Sequence, residues 1–195
     1  MKKALLIAVA ILFAAAAAHA VLPAEGYIGL FTGPSSDSPA QTAPSGQSGV
    51  WYAGEKTTFY MWIWVLPSAN GMRAAEWMIQ LPEEDNVALA DVTGNPGLTL
   101  DLGTLTDGIS AVFETCQTDW AWYFYVEAYL LDDVSSVIKV VEDPTAQPPF
   151  LGIATCSYPY PLENILPFSY LYMNPASDVY IGTKEMSWGA IKSLF

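Results

Sequence analysis

Apolar and aromatic residues alternate with polar ones at a period of two through most of the chain from residue 57 to residue 173, and helical periodicity is nearly absent. These stretches are rich in Val, Ile, Tyr, Phe and Trp, and Gly, Pro, Asn and Asp interrupt them. Such a pattern is typical of short antiparallel strands joined by turns. Because no helices alternate with the strands, the pattern predicts an all-β, two-sheet antiparallel sandwich of about eight to nine strands.

Two segments with the composition of loops separate predicted strands. The stretch Thr32–Val50 is crowded with Ser, Pro, Gly, Gln and Thr, and it is predicted to be a long mobile loop or a linker. A second loop-like stretch, Glu142–Pro149, contains three prolines and separates two predicted strands. The predicted strands are Tyr27–Phe31, Thr57–Leu66, Arg73–Leu81, Val87–Val92, Ile109–Thr115, Ala121–Leu131, Val137–Val141, Phe150–Cys156 and Pro167–Met173.

The amino terminus has the layout of an export signal. Lys2 and Lys3 precede an apolar run from Ala4 to Ala18, and Ala18-His19-Ala20 places small residues where a signal peptidase reads. The run is shorter than the roughly 20 residues that a membrane-spanning helix needs. We therefore predict a signal peptide over residues 1–20, cleavage between Ala20 and Val21, and a secreted domain over 21–173 at the cell surface or outside the cell, with the periplasm as the alternative.

The charge of the chain limits its partners. Cleavage after Ala20 would remove Lys2 and Lys3 from the seven basic residues and leave all 20 acidic ones, so the mature net charge would be −15. Such a field repels phosphate backbones and anionic lipid. We therefore expect no nucleic-acid partner and no membrane insertion after cleavage; an extracellular protein or a glycan remains as partner, and self-association stays open.

The two cysteines, Cys116 and Cys156, predict one disulfide, because an even count in an exported chain usually means a bridge. Closing a loop of this length stabilises a fold by about 3 to 4 kcal/mol in the chain-entropy model. A redox pair or a metal site is the alternative. Neither has the close spacing or the histidine partners that it would need.

Catalysis has few candidates in this sequence. The only histidine is His19, inside the predicted signal peptide, so a mature chain would have no histidine general base and no ordinary catalytic zinc site. A pair of carboxylates, as in glycoside hydrolases, needs no histidine and is the catalytic alternative. We predict a protein that is not an enzyme. The carboxylates that this alternative would draw on are Glu76, Glu114, Asp119 and Glu127.

Acidic loops raise calcium as a ligand, because carboxylates can gather there around a hard cation. The candidates are Glu83-Glu84-Asp85, Asp132-Asp133 and Asp178. None of them follows the spacing of a known calcium loop. Solvated acidic turns that keep the protein soluble explain them better, so we predict no cofactor and no metal site, with calcium as the alternative.

Two strands carry aromatic residues on both faces. In Thr57–Leu66 the alternation puts Phe59, Met61, Ile63 and Val65 on one face, and in Ala121–Leu131 it puts Trp122, Phe124, Val126, Ala128 and Leu130 on a core face. The opposite faces suit an exposed surface that stacks on sugar rings or meets a protein. The alternative is that another segment, such as residues 21–50, covers them. The predicted binding residues are Tyr60, Trp62, Trp64, Tyr123, Tyr125 and Tyr129.

One part of the chain resembles a known family. Residues 52–58, Tyr-Ala-Gly-Glu-Lys-Thr-Thr, precede an apolar strand, and a Pro67-to-Met72 loop with Asn70-Gly71 then leads into Ala74-Ala75-Glu76-Trp77. This layout resembles the opening of cohesin-like domains. The resemblance implies a jelly-roll or immunoglobulin-like sandwich that binds partners across a sheet face or through its loops. The high aromatic content and the predicted disulfide depart from that pattern.

The carboxyl-terminal tail, residues 174–195, is predicted to contain a short amphipathic helix. Ser187 is a plausible cap, and Trp188, Ile191, Leu194 and Phe195 lie on one helical stripe. Together these patterns predict a secreted, non-catalytic β-sandwich that acts as an extracellular or cell-surface binding and assembly module. A carbohydrate-binding module and a carboxylate-only glycoside hydrolase are the alternatives.

Overall fold

A computed structural model describes residues 25–33, 44, 47–51, 58–83 and 86–175. The predicted signal peptide, its cleavage site at Ala20 and Val21, and the predicted helix at 187–195 lie outside these residues. In the described residues every regular element is a β-strand. No helix long and apolar enough to cross a membrane occurs among them.

The described residues form twelve strands, so the predicted count of eight to nine is too low. The predicted strands omit the short strand β2, the strand β6 and the first half of β11: β2 has two residues, β6 contains Gly103, and the first half of β11 lies between Pro161 and Pro167. The strands are β1 (Gly26–Thr32), β2 (Val50–Trp51), β3 (Thr58–Leu66), β4 (Met72–Gln80), β5 (Val87–Gly94), β6 (Leu98–Thr104), β7 (Gly108–Gln117), β8 (Ala121–Leu130), β9 (Ser136–Val141), β10 (Gly152–Ala154), β11 (Leu162–Ser169) and β12 (Leu171–Met173).

The strands form the two-sheet sandwich that the sequence predicts. The first sheet has the order β5-β8-β3-β1-β11, and the second runs from β6 through β7 to β4. The two halves of β4 then pair with different strands, the first with β10 and the second with β9. Strand β11 pairs with β10 and then with β1, so it joins the two sheets. The sandwich is mostly antiparallel, but β1 with β11 and β2 with β12 are parallel pairs.

The main core lies between the two sheets and is filled by alternate side chains of the long strands. On β4, Ala75, Trp77 and Ile79 are buried, and on β3 the predicted core residues Phe59, Met61, Ile63 and Val65 are buried as well. A compact arrangement of this kind accounts for the period-two pattern of these segments.

A β-bulge changes the face that part of β8 presents. Ile63 pairs with Phe124, but the next residue, Trp64, pairs with Trp122, so Tyr123 is the extra residue. The bulge reverses the alternation, because one added residue turns the following side chains to the other face. The prediction for these two residues is therefore wrong: Tyr123 lies in the main core, and Trp122 lies on the outer side of the sheet.

A second apolar cluster covers the outer face of the first sheet, and residues from the predicted loop close over it. Thr32 and Ser48 exchange backbone hydrogen bonds of 2.7 and 2.9 Å, so both ends of the Thr32–Val50 stretch belong to the fold. Gln47 is buried against Trp64. The buried members of this cluster are Phe31, Trp62, Trp64, Trp120 and Trp122.

The predicted disulfide between Cys116 and Cys156 is confirmed. Cys116 lies near the end of β7, and Cys156 follows β10, with their Cα atoms 5.6 Å apart. The bridge therefore ties the β10–β11 connection to a neighbouring part of the second sheet.

Candidate functional site

The second sheet leaves one face open to solvent. On β7, Ile109, Ala111 and Phe113 are buried, whereas the alternate residues Ser110 and Val112 are accessible. The same alternation occurs on β4, and on β10 Ile153 is buried whereas Ala154 is half-buried. Because successive side chains of a strand point to opposite faces, the accessible residues share the outer face of this sheet.

An apolar row crosses this outer face from β6 to β11. Residues that pair directly across antiparallel strands project on the same side of the sheet. Leu162 and Leu100 end the row and are 67% and 48% exposed. We call the following five residues the apolar row, and each is the register partner of the next: Leu100, Val112, Ala74, Ala154 and Leu162.

The neighbouring row is mostly polar. Leu102, which is 59% exposed, pairs with Ser110, and Ser110 pairs with Glu76. Glu76 pairs with Gly152, which pairs with Asn164. The apolar row therefore has a carboxylate beside its centre. Glu114 on β7 is exposed and adds a second carboxylate to this sheet.

Exposed apolar residues in an ordered array of this kind are unusual for an isolated domain. Single exposed leucines are normal on a protein surface, but contiguous patches mark interaction sites. The row ends in two exposed leucines, its three inner residues are half-buried, and the row beside it is mostly polar. Accessible apolar area with a polar border is what a protein interface presents. The sequence could not reveal this array, because it depends on the register of strands that are far apart in the chain: Ala74 and Ala154, which pair directly, are 80 residues apart.

Three of the six predicted aromatic binding residues are buried, and the other three are accessible. Trp62 and Trp64 belong to the covered outer cluster, and Tyr123 lies in the main core; all three are at most 1% exposed. Tyr123 contacts Trp77 and Phe113 edge to face, with ring centroids 4.9 and 4.8 Å apart. Burial raises the pKa of its phenol well above the usual value near 10.

The other three tyrosines of the prediction lie together at the accessible end of the first sheet. Tyr60 and Tyr125 stack in parallel with ring centroids 5.4 Å apart. Tyr129 is exposed and donates a 3.1 Å hydrogen bond to Glu127. This hydrogen bond and the negative charge of Glu127 raise the pKa of the Tyr129 phenol. The predicted six-residue aromatic face is thus reduced to three accessible side chains.

The four candidate catalytic carboxylates do not share one site. Glu76 and Glu114 lie on strands of the second sheet, whereas Glu127 lies on β8 in the first sheet. Asp119 accepts a 2.7 Å hydrogen bond from the backbone N–H of Trp120 in the turn before β8. The structure therefore brings together at most Glu76 and Glu114 among them.

The acidic turns that suggested calcium are described only in part. Asp132 accepts 3.1 Å hydrogen bonds from the Asn86 side chain and from the Val134 backbone, so this carboxylate organises its own turn. Within the described ranges no group of three or more His, Cys, Asp or Glu side chains could hold a metal ion. Residues 84, 85 and 178 lie outside those ranges.

Comparison with known proteins gives similarity at the level of structure alone. No family model matches the chain, and no curated protein matches it. A cohesin module of a family 33 glycoside hydrolase from Clostridium perfringens is similar with a TM-score of 0.53 and 9% identity, over 77% of this chain and 98% of that one.

Two further cohesin structures are more distant. The cohesin of a type I cohesin–dockerin complex from Clostridium thermocellum has a TM-score of 0.44, with 11% identity over 75% of this chain and 97% of that one. A non-cellulosomal cohesin from the archaeon Archaeoglobus fulgidus has a TM-score of 0.38, with 8% identity over 82% and 99%.

The similarity to the Clostridium perfringens module identifies the fold. The chain is a cohesin-like β-sandwich, as the resemblance at residues 52–81 implies. At such low identity the likeness concerns the arrangement of strands only. Any function has to be argued from the surfaces described above.

Proposed function

We propose that this chain is a secreted, non-catalytic module that binds a partner protein across the outer face of its second sheet. The observation that carries this proposal is the apolar row, because five strands place its residues in register on an accessible surface. The proposed location, outside the cell or at its surface, rests on the signal-like amino terminus and on the disulfide.

The fold neighbours support the same function class. The Clostridium perfringens neighbour is a cohesin module within a larger enzyme, and the Clostridium thermocellum neighbour is in complex with a dockerin. We carry over only the general role of a module that holds proteins together. The particular partner is not inferred from these neighbours.

A retention experiment tests the proposal. The chain would be immobilised and exposed to the secreted proteins of the organism that encodes it, in parallel with Leu100→Asp and Leu162→Asp, which change the two exposed ends of the apolar row. Placing a charge in the apolar strip should abolish retention of a specific protein, because the carboxylate would be buried without a partner. Leu131→Asp is the matched control, since Leu131 is 63% exposed and follows β8 in the first sheet.

Two outcomes would contradict the proposal. Equal retention by all four proteins would mean that the second sheet is not the binding face. Retardation by neutral polysaccharides in affinity electrophoresis, lost in Tyr129→Ala, would instead support a carbohydrate-binding module that uses the first sheet.

A further inference from the structure

The connection between β10 and β11 is the most exposed aromatic segment in the described chain. We call residues 157–161, Ser-Tyr-Pro-Tyr-Pro, the tyrosine loop. Every residue of the loop is exposed, and Tyr158 is 87% exposed. Tyrosine offers a large apolar area with little conformational entropy to lose, and it is enriched at interface hot spots.

The loop is fixed at its base in several ways. Cys156, directly before the loop, is bridged to Cys116 on β7, and its backbone N–H donates to the Asn70 carbonyl at 3.3 Å. The Thr155 N–H donates to the Pro161 carbonyl at 3.0 Å, and the Tyr160 N–H donates to the Ser157 carbonyl at 2.5 Å. A loop that is already ordered loses less entropy when it binds.

The start of β11, which follows the loop, strengthens this attachment. Leu162 is followed by Glu163, whose carboxylate accepts hydrogen bonds from the Ser68 hydroxyl at 2.5 Å and from the Asn70 amide at 2.6 Å. The loop is therefore held against the β3–β4 turn as well as to β7. Ala154 and Leu162, which close the apolar row, are register partners on the two strands that the loop joins.

We propose that the tyrosine loop anchors the partner protein, with Tyr158 entering an apolar pocket that has a basic rim. This inference rests on the proposed function, because it extends the same binding face. The apolar row and the loop are continuous through Leu162, so one partner would cover both. The disulfide serves to present the loop in a single conformation.

The ring geometry favours a protein over a glycan as the occupant. The rings of Tyr158 and Tyr160 have centroids 5.9 Å apart and an interplanar angle of 83°. Two perpendicular rings form no common plane on which a sugar chain could stack. A protruding ring with a hydroxyl at its tip fits instead into a pocket on a protein, with its polar end hydrogen-bonded.

Charge favours a different protein over a second copy of this chain. The described residues contain two basic side chains, Arg73 and Lys139, and the whole chain has 20 acidic against seven basic residues. In a symmetric dimer the patch that carries Glu76 and Glu114 would face an identical patch, so the same carboxylates would lie on both sides of the interface. Like charges across an interface weaken binding, whereas basic residues around the partner's pocket would be attracted to these carboxylates.

Photo-cross-linking tests the inference. Benzoylphenylalanine would replace Tyr158, Leu162 or, as control, Tyr129 on the first sheet, and each protein would be irradiated in the secreted fraction of the encoding organism. A protein cross-linked from position 158 and from position 162, but not from 129, is the expected result. That protein would then be purified, and the Kd of its complex would be measured with the parent chain and with the variants Tyr158→Ala, Tyr160→Ala and Tyr129→Ala.

The expected Kd rises about 30-fold or more for Tyr158→Ala and less than about twofold for Tyr129→Ala, with unchanged melting temperatures. Association should also slow as salt rises from about 50 to about 500 mM. Cross-linking from 162 without 158, or an unchanged Kd for Tyr158→Ala, would overturn the loop as anchor and leave the proposed function standing. No cross-link from either position would contradict both. A cross-link only to another copy of this chain would replace the partner by self-association.

Discussion

The indole Nε1 of Trp64 donates a 2.9 Å hydrogen bond to the Gln47 side chain, and both side chains are buried. Gln47 comes from the segment between β1 and β2, whereas Trp64 lies on β3 of the first sheet. Gln47, from a stretch rich in polar residues, thus covers part of an aromatic sheet face and satisfies a buried donor there. This arrangement is the covered alternative that the sequence left open for the second face of the strand.

Replacing Trp64 by Ala should therefore reduce stability and leave partner binding to the second sheet unaffected. Removal of a fully buried tryptophan creates a cavity and costs about 3 to 5 kcal/mol. Gln47→Ala should cost less, about 1 to 3 kcal/mol, because it leaves the Trp64 donor without this acceptor. Chemical denaturation of the three proteins measures both effects. Unchanged midpoints for both variants would mean that the face is not covered.

Tyr123→Phe should stabilise the protein. The Tyr123 hydroxyl is buried and finds no hydrogen-bond partner among the described residues. The cost of removing this hydroxyl from water is therefore not offset by a hydrogen bond, and a cost of this kind is about 1 to 3 kcal/mol. We expect Tyr123→Phe to be more stable than the parent protein by roughly 1 kcal/mol at neutral pH. Thermal melts at pH 7 measure this gain. A lower melting temperature would show that the hydroxyl has a compensating contact.

The pH dependence of the same pair gives an independent check. Burial raises the pKa of Tyr123 in the folded state, so the folded protein retains this proton when the unfolded chain, with a pKa near 10, begins to lose it. The contribution of the protonated Tyr123 phenol to folding stability is fully present below about pH 10, and it falls as the pH rises above that value. Tyr123→Phe should lose less stability than the parent between about pH 10 and 11.

Gly71→Ala should disturb the base of the tyrosine loop. Gly71 has φ of +69°, and a Cβ placed there would lie 2.8 Å from the Cys156 sulfur and 2.9 Å from the Cys116 sulfur. The substitution combines an unfavourable backbone conformation with a clash, so we expect a loss of about 1 to 3 kcal/mol. Gly97→Ala is the control: its Cβ would lie no closer than 3.3 Å to a neighbour, and its φ is outside the left-handed region.

Removal of the disulfide should affect stability and partner binding together. The Cys116→Ser, Cys156→Ser double variant is expected to lose about 3 to 4 kcal/mol of stability in the chain-entropy model. Because the bridge holds the tyrosine loop, affinity for the cross-linked partner should fall even at temperatures where the variant is fully folded. Calorimetric titration well below the melting temperature measures this. Equal affinity would show that the loop keeps its shape without the bridge.

Much of the fold could be predicted from local patterns, whereas the candidate site could not. The alternation of Ala75, Trp77 and Ile79 on β4 identifies both the strand and its buried side. The bulge at Tyr123 has no signature in the sequence, because both phases of the alternation are apolar there. Leu100 and Leu162 become the two ends of one row only through the register of five strands, and register is set by the packed core and not by either residue.

The position of the outer face can be tested without any partner, through neighbours on one strand. Val112 and Phe113 are adjacent on β7, but Val112 belongs to the apolar row and Phe113 is buried against Tyr123. Val112→Ser should change the free energy of unfolding by less than about 1 kcal/mol, since Val112 is only half-buried and lies in the outer row between Leu100 and Ala74, outside the main core. Phe113→Ala should cost about 3 to 5 kcal/mol, because it empties space in the main core. Denaturant titration of the two variants gives the difference directly, and a large loss for Val112→Ser would mean that another part of the chain covers the proposed binding face.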